Sequence, residues 1–360
     1  MTRLFDPVAL RGVTARNRIW VSPMCQYQCL PHDGIPNDWH LMHLGQFAVG
    51  GAGLILTEAT AVEAIGRISP RDAGIWTDEQ ARAWRRIVDF VHAQGAPIGV
   101  QLAHAGRKAS AWAPWGEDGR HGHQPAEEGG WATVGPSPLP FGTHPAPRAL
   151  TTAEVEALPG TFADAARRAV DAGFDLLELH AAHGYLLHQF LSPLSNRRDD
   201  AYGGSVENRA RLLLDVVRAV RARIPDGMPL LVRLSASDWT TGGLEPAEVG
   251  QIAGWARDAG ADLFDVSSGG LVGAQRIRTG PGYQVPFAAT VHQVSGAPVG
   301  AVGLLTEAKQ IADIVDSGMA EVVLLARELL RDPHFPLRAA RELGVDVAWP
   351  GVYERAKPAD

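Results

Sequence analysis

The sequence predicts a single-domain α/β fold, a closed (β/α)8 TIM barrel, on three observations. Short β-rich apolar runs alternate with amphipathic helical stretches, glycine recurs where a helix gives way to a strand, and eight strand candidates can be counted along 360 residues. Alternation with short connections implies a parallel sheet, and eight such units make a closed barrel the first choice. The chain is longer than the ~250 residues of a typical barrel, so a long insertion is expected. An open doubly wound sheet would carry a glycine fingerprint after its first strand. Here the first strand leads instead into Ser22-Pro23-Met24-Cys25.

In chain order, the first strand is read at 18–21. Gly50-Gly51-Ala52-Gly53 introduces the second at 54–57, and Gly95 the third at 98–102. Gly173 precedes the fourth at 174–179, with the fifth at 230–234. Gly260 precedes the sixth at 263–267, the seventh spans 298–302, and Gly318 precedes the eighth at 321–326. Glycine is favoured just past a helix end because it tolerates positive φ. An amphipathic helix is read at 207–223, where Asn208 and Arg209 fix the preceding Tyr202-Gly203-Gly204-Ser205 loop. The excess length falls in 106–149, which is rich in Gly, Pro and Trp and lacks periodicity; such segments are usually lids or binding loops. The tail, 344–360, holds Trp349, Tyr353 and Arg355, a composition unlike a purely solvated end.

Composition narrows the function. A net charge of −7 with no basic block argues against nucleic-acid and anionic-membrane partners. The two cysteines, Cys25 and Cys29, are too few for a disulfide scaffold and suit a reducing compartment. No signal-type or membrane-length apolar run is seen, so a soluble cytoplasmic protein is expected.

Barrel active sites are built from residues just past each strand. The fourth strand leads into His180-Ala181-Ala182-His183-Gly184-Tyr185, two imidazoles that can donate to a substrate oxygen and a phenol that can deliver a proton. The third and fifth strands add Gln101 and Arg233. The last three strands end in Ser267-Ser268-Gly269-Gly270, Gly303 and Ala326-Arg327, where backbone N–H groups and one Arg suit a phosphate. A flat heterocycle with a phosphate tail would fit both halves.

These residues resemble the Old Yellow Enzyme family of FMN-dependent ene-reductases, and more closely its thermophilic-like bacterial branch. The motifs are Ser22-Pro23-Met24-Cys25-Gln26-Tyr27, Gln101-Leu102-Ala103-His104-Ala105-Gly106-Arg107-Lys108, His180 to Tyr185, and the 192–205 run beginning Ser192-Pro193-Leu194-Ser195-Asn196-Arg197. The resemblance implies FMN held by Ser22, Pro23, Met24, Cys25, Ala59, Gln101, Arg233, Gly303, Ala326 and Arg327, where relatives often have Gly at the position of Ala326. It implies NADPH or NADH as reductant; apart from the resemblance, Arg107 and Lys108 read as contacts for a nicotinamide phosphate. It further implies an enone- or enal-type substrate, with nitro compounds as a further class. His180 and His183 polarise the carbonyl, Tyr185 protonates the α-carbon, and Tyr27 lines the pocket. In that branch a C-terminal arginine, here Arg355, reaches a neighbouring subunit's pocket, which implies a homo-oligomer, a dimer or tetramer.

Other readings compete on the residues themselves. Two imidazoles make no catalytic zinc site without a third protein ligand, so no metal is assigned; a metal-dependent barrel hydrolase is the alternative enzyme. Cys25, Cys29 and His32 lack a completing pair, and Cys29 reads as structural. A cluster-bearing relative would need about four cysteines. A non-catalytic flavin-binding protein is the remaining alternative. Trp39-His40-Leu41-Met42-His43 repeats the His spacing inside a helical stretch, where packing is the better account. Tyr27 as a core tyrosine and Arg355 in a frayed tail are the plain alternatives at those positions.

Overall fold

The structure is a computed structural model that describes residues 2–115 and 119–358. Residues 116–118 of the 106–149 segment, together with 1, 359 and 360, lie outside the described residues. Eight parallel strands close a barrel in chain order: β1 (Ile19–Val21), β2 (Leu54–Ala61), β3 (Ile98–Ala103), β4 (Leu176–Ala181), β5 (Leu230–Ser235), β6 (Leu263–Ser267), β7 (Val299–Ala301) and β8 (Val322–Leu325). Closure is made by β8 beside β1, with Leu325 opposite Val21. Every residue of these strands is buried, as expected where helices cover one face and a core fills the other.

All eight predicted strands exist, and their ends differ for physical reasons. The fourth begins two residues later than expected, because the Asp175 carboxylate accepts from Ile98 N–H and contacts His92, pinning the turn before it. It then runs on through Ala181, which pairs with Leu234, so His180 stands inside the strand rather than past it. The second strand continues to Ala61 through a register shift between Leu56 and Ala59. That irregularity lets the Thr57 and Thr60 hydroxyls donate to the Glu58 carbonyl and sets Ala59 opposite Gln101.

The helices are α1 (Asp38–Val49), α2 (Asp78–Ala93), α3 (Thr152–Ala172), α4 (Leu186–Leu191), α5 (Val206–Arg221), α6 (Pro246–Asp258), α7 (Val285–Ser295), α8 (Ala308–Asp316), α9 (Arg327–Arg331) and α10 (Phe335–Glu342). Side chains of Asn37, Thr77, Thr151 and Ser205 cap α1, α2, α3 and α5, satisfying N–H groups a helix start leaves unpaired. Below α5, Arg209 donates to the Gly204 and Leu191 carbonyls, the loop-fixing job read for it from sequence.

Two pieces had no signal in the sequence reading. Val8–Leu10 and Val13–Ala15 form an antiparallel hairpin. Its Val8 and Ala15 join Trp20, Leu54, Leu176 and Leu324 in a separate apolar cluster that closes the floor of the barrel. Within 106–149, Val134–Gly135 pairs in parallel with Arg148–Ala149. Among the described residues, no helix is long and apolar enough to cross a membrane.

Candidate active site

The site grows from the end of β4. His180 is paired in register with Arg233 of β5 and is 4% exposed. Its Nδ1 accepts the Ala182 N–H at 3.3 Å, which leaves Nε2 to carry the ring proton. Three residues on, His183 takes the left-handed backbone (φ 58°), uncommon for a residue other than glycine. Its N–H donates to Ser235 Oγ at 2.9 Å, and that hydroxyl donates to the Gly269 carbonyl.

Two glycines permit this arrangement. A Cβ on Gly184 (φ 76°) would lie 2.3 Å from the Gly270 carbonyl oxygen, and one on Gly270 (φ 90°) would lie 2.6 Å from His183 Cα. The loops after β4 and β6 therefore touch backbone to backbone, at a spacing only glycine allows.

The imidazoles of His180 and His183 stand edge to face, centroids 5.1 Å apart, with His180 Nε2 3.4 Å from His183 Nδ1. The Tyr185 ring packs on His180 at 4.9 Å. Burial, then the nearby Arg233 charge, pushes both imidazoles well below their ordinary range, so both are neutral. Burial, then Cys25 and Asp72, pushes the Tyr185 phenol well above its ordinary range, so it keeps its proton.

Behind this cluster lies a charged layer that sequence reasoning missed. Gln101 Nε2 donates to Glu178 Oε1 at 2.7 Å, and Arg233 Nε lies 3.0 Å from Asp265 Oδ2. Glu178 and Asp265 are both fully buried, against one guanidinium. Burial first, then Asp265, pushes the Glu178 carboxyl up to about 8. A signal did exist: each is a lone acid inside an otherwise apolar strand, where a charge is costly without a partner.

The loop after β1 supplies a second wall. Ser22 is buried and its hydroxyl oxygen has no hydrogen-bond partner among the described residues. Pro23, Met24 and Cys25 are half-buried. Burial, then Asp72 and Glu58, raises the Cys25 thiol out of the thiolate range. Tyr27 is buried with positive φ (54°), and its ring meets Trp115 edge-on at 5.3 Å. Across the barrel, Gly303, Ala326 and Arg327 line one cavity with Val302 and Leu325. A Cβ on Gly303 would come within 2.7 Å of Gln284 Nε2, so the backbone there is bare by necessity.

Arg107 and Lys108 are not poised for a nicotinamide phosphate, which corrects that expectation. Arg107 is buried and donates to the Leu139 and Leu271 carbonyls. Lys108 Nζ donates to the carbonyls of His183 and Gly270 at 2.8 and 2.9 Å, and lies over the Phe141 and Tyr185 rings. Lys108 ties this part of the chain to the loops after β4 and β6, and Arg107 ties it to the loop after β6. Arg355 lies elsewhere, on an exposed turn (Gly351–Ala356), and among the described residues it has no hydrogen bond or ion pair with the cluster.

The histidines of α1 pack, as the sequence suggests. His40 is buried, with Nε2 3.0 Å from Glu58 Oε1, and burial lowers His43 to about 4. Cys29 is fully buried, its thiol donating to the Ile35 carbonyl.

The sequence profile of a family described as NADH:flavin oxidoreductase / NADH oxidase matches residues 3–345. An NADPH dehydrogenase of Geobacillus sp. (strain WCH70) is 48% identical over 355 residues, covering 98% of each chain. An NADPH dehydrogenase of Listeria innocua serovar 6a is 44% identical over 357 residues, covering 99% of each. Among solved structures, morphinone reductase shares the fold with a TM-score of 0.77 at 29% identity, over 97% of this chain and 91% of its own.

Proposed function

This chain belongs to the NADH:flavin oxidoreductase / NADH oxidase family, the Old Yellow Enzymes, and from that premise we propose that it reduces the activated C=C bond of α,β-unsaturated carbonyl compounds. It is a flavin-dependent oxidoreductase whose cofactor is FMN and whose reductant is a nicotinamide; relatives named NADPH dehydrogenase favour NADPH. FMN, when bound, would supply the hydride chemistry that links a nicotinamide reductant to the alkene.

The residues fit such a group. Ser22 offers a buried hydroxyl with no partner among the described residues, and the bare backbone at Gly303 beside Arg327 suits a phosphate. In this reading Ser22, Pro23, Met24, Cys25 and Ala59 would line the flavin ring, and Gln101 and Arg233 would bond its pyrimidine edge. Gly303, Ala326 and Arg327 would hold the phosphate. The Ala326 methyl, where relatives often have Gly, leaves the N–H donor in place.

The observation that carries the reading is the convergence of His180 Nε2 and His183 Nδ1, 3.4 Å apart, beside the protonated Tyr185. The two imidazoles bind the substrate carbonyl oxygen. Negative charge grows on that oxygen as the β-carbon is attacked, so donors aimed there favour the transition state over the ground state. Tyr185 holds its proton until a carbanion-like α-carbon appears, then delivers it from the phenol oxygen. Tyr27 and the described residues of the 106–149 segment close the pocket, with Trp115 on Tyr27 and Lys108 on Tyr185 as the latches. Arg355, exposed on its own chain, would serve the pocket of a second copy in a homo-oligomer.

The test is optical. Purified protein should be yellow, bleach with NADPH under anaerobic conditions, and recover on adding cyclohex-2-enone. A colourless protein overturns the reading. Tyr185→Phe should bleach normally but recover about 10²–10⁴-fold more slowly, the usual worth of a general acid. Unchanged recovery across several enones would remove Tyr185 from the mechanism.

A further inference from the structure

We propose that Arg276 and Arg278, in the loop after β6, hold the 2′-phosphate of NADPH and make it the preferred reductant over NADH. The proposal rests on the nicotinamide-dependent reading above and names the part of the chain that tells the two nicotinamides apart. That role stands open, because Arg107 and Lys108 commit their donors to backbone carbonyls. NADPH differs from NADH by one phosphate monoester, which carries about −1.5 to −2 charges at neutral pH. A site that prefers it needs cations that are exposed, unpaired and close together at the mouth of the pocket.

Arg276 and Arg278 meet each condition. Both are exposed, and neither side chain has a hydrogen bond or ion pair with another described residue. Residues 268–284 contain no Asp or Glu, in a chain whose net charge is −7. Two residues of extended chain span about 7 Å, so both side chains can close on one phosphate. Guanidinium forks match phosphate oxygens in pairs, which a hydrated hydroxyl of NADH cannot exploit.

The fold explains why both point outward. Exposure alternates from Gln275 to Arg278, with Gln275 and Ile277 half-buried and the arginines exposed. The half-buried pair is seated on Gly269, where a Cβ would lie 2.8 Å from both Gln275 Oε1 and Ile277 Cδ1. Gln275 Oε1 also accepts the Gly270 N–H at 2.6 Å, and the Arg276 N–H donates to the Trp239 carbonyl at 3.2 Å. Gly270 is the residue that touches the His183 backbone, so this anchored run sets the arginines at the rim beside the histidines. Trp239 meets Phe287 edge-on at 5.4 Å and lies 6.4 Å from Tyr283, and all three are half-buried. A flat adenine can pack on such a group, which favours a nucleotide phosphate over a free one.

The experiment is a binding titration of the holoenzyme, read by flavin absorbance, with 1,4,5,6-tetrahydro-NADPH and 1,4,5,6-tetrahydro-NADH, which bind without giving hydride. The wild type is expected to bind the NADPH analogue about ten- to hundredfold more tightly, from about three- to tenfold for each arginine. In Arg276→Ala/Arg278→Ala the Kd of the NADPH analogue should rise to that of the NADH analogue, whose own Kd should change by less than about twofold. The gap in the wild type should also narrow as salt is raised. Arg82→Ala removes an exposed cation from α2 and should leave both constants as in the wild type. A wild type without preference, a preference that survives in the double variant, or an equal loss for both analogues overturns the proposal and leaves the flavin-reductase reading intact. A protein that holds no flavin and binds neither analogue overturns both.

Discussion

Glu178 shows how one residue in the barrel interior couples the site to solution conditions. Two carboxylates face one guanidinium there, and burial holds Glu178 neutral, leaving Arg233 and Asp265 as a balanced pair. The sign of the pH effect follows. Glu178 is raised from its ordinary 4.5 to about 8, so between those values the folded chain binds a proton that the unfolded chain has released. Its contribution to stability is whole below about 4.5 and is lost as pH rises through about 8. Glu178→Gln keeps an acceptor for Gln101 and removes the titration. Thermal melts of that variant should drop less than those of the wild type between about pH 5 and about pH 8. Parallel drops in the two proteins would mean that Glu178 is ionised in the fold.

Among the elements, the loops after β4 and β6 decide whether a clamp exists at all. Their backbones meet at Gly184 and Gly270, and Lys108 bonds to both loops at once. Gly270→Ala would put a methyl group 2.6 Å from His183 Cα at a φ of 90°. We expect a loss of at least about 1–3 kcal/mol from the backbone strain alone, with a raised KM for enones as His183 moves. Gly273→Ala, in the same loop with nothing within 4 Å, is the control and should stay within about 0.5 kcal/mol of wild type. Denaturant unfolding of the pair reads the difference; equal midpoints would show that the loops separate freely.

For the whole molecule, the barrel is held at its floor by a cluster remote from the chemistry. Trp20 is fully buried there and donates from Nε1 to the Asn17 carbonyl, with the N-terminal hairpin packed beneath. Trp20→Ala should cost about 3–5 kcal/mol in denaturant unfolding, while the flavin spectrum of the folded enzyme stays as in wild type. A changed spectrum at low denaturant would tie the floor to the site.

The sequence by itself determined the barrel, because strand and helix periodicity and the glycines between them are local signals that the chain carries in order. It also located His180, His183, Tyr185, Gln101 and Arg233, since a parallel barrel puts every strand's end on one face. Strand ends were legible only to within a few residues, because pairing with neighbours sets them; Ala181 stays in β4 through Leu234. The N-terminal hairpin went unread, its two strands being three residues each, too short for a period. Only the tertiary structure decided which polar groups meet. Arg107 and Lys108 read as contacts for a nicotinamide phosphate in the sequence and are locks in the fold. Glu178 meets Gln101, and Ser267 meets His183, across sequence separations of 77 and 84 residues. A hydrogen bond depends on ångström-scale placement across the closed barrel, and no local pattern in the chain encodes that distance.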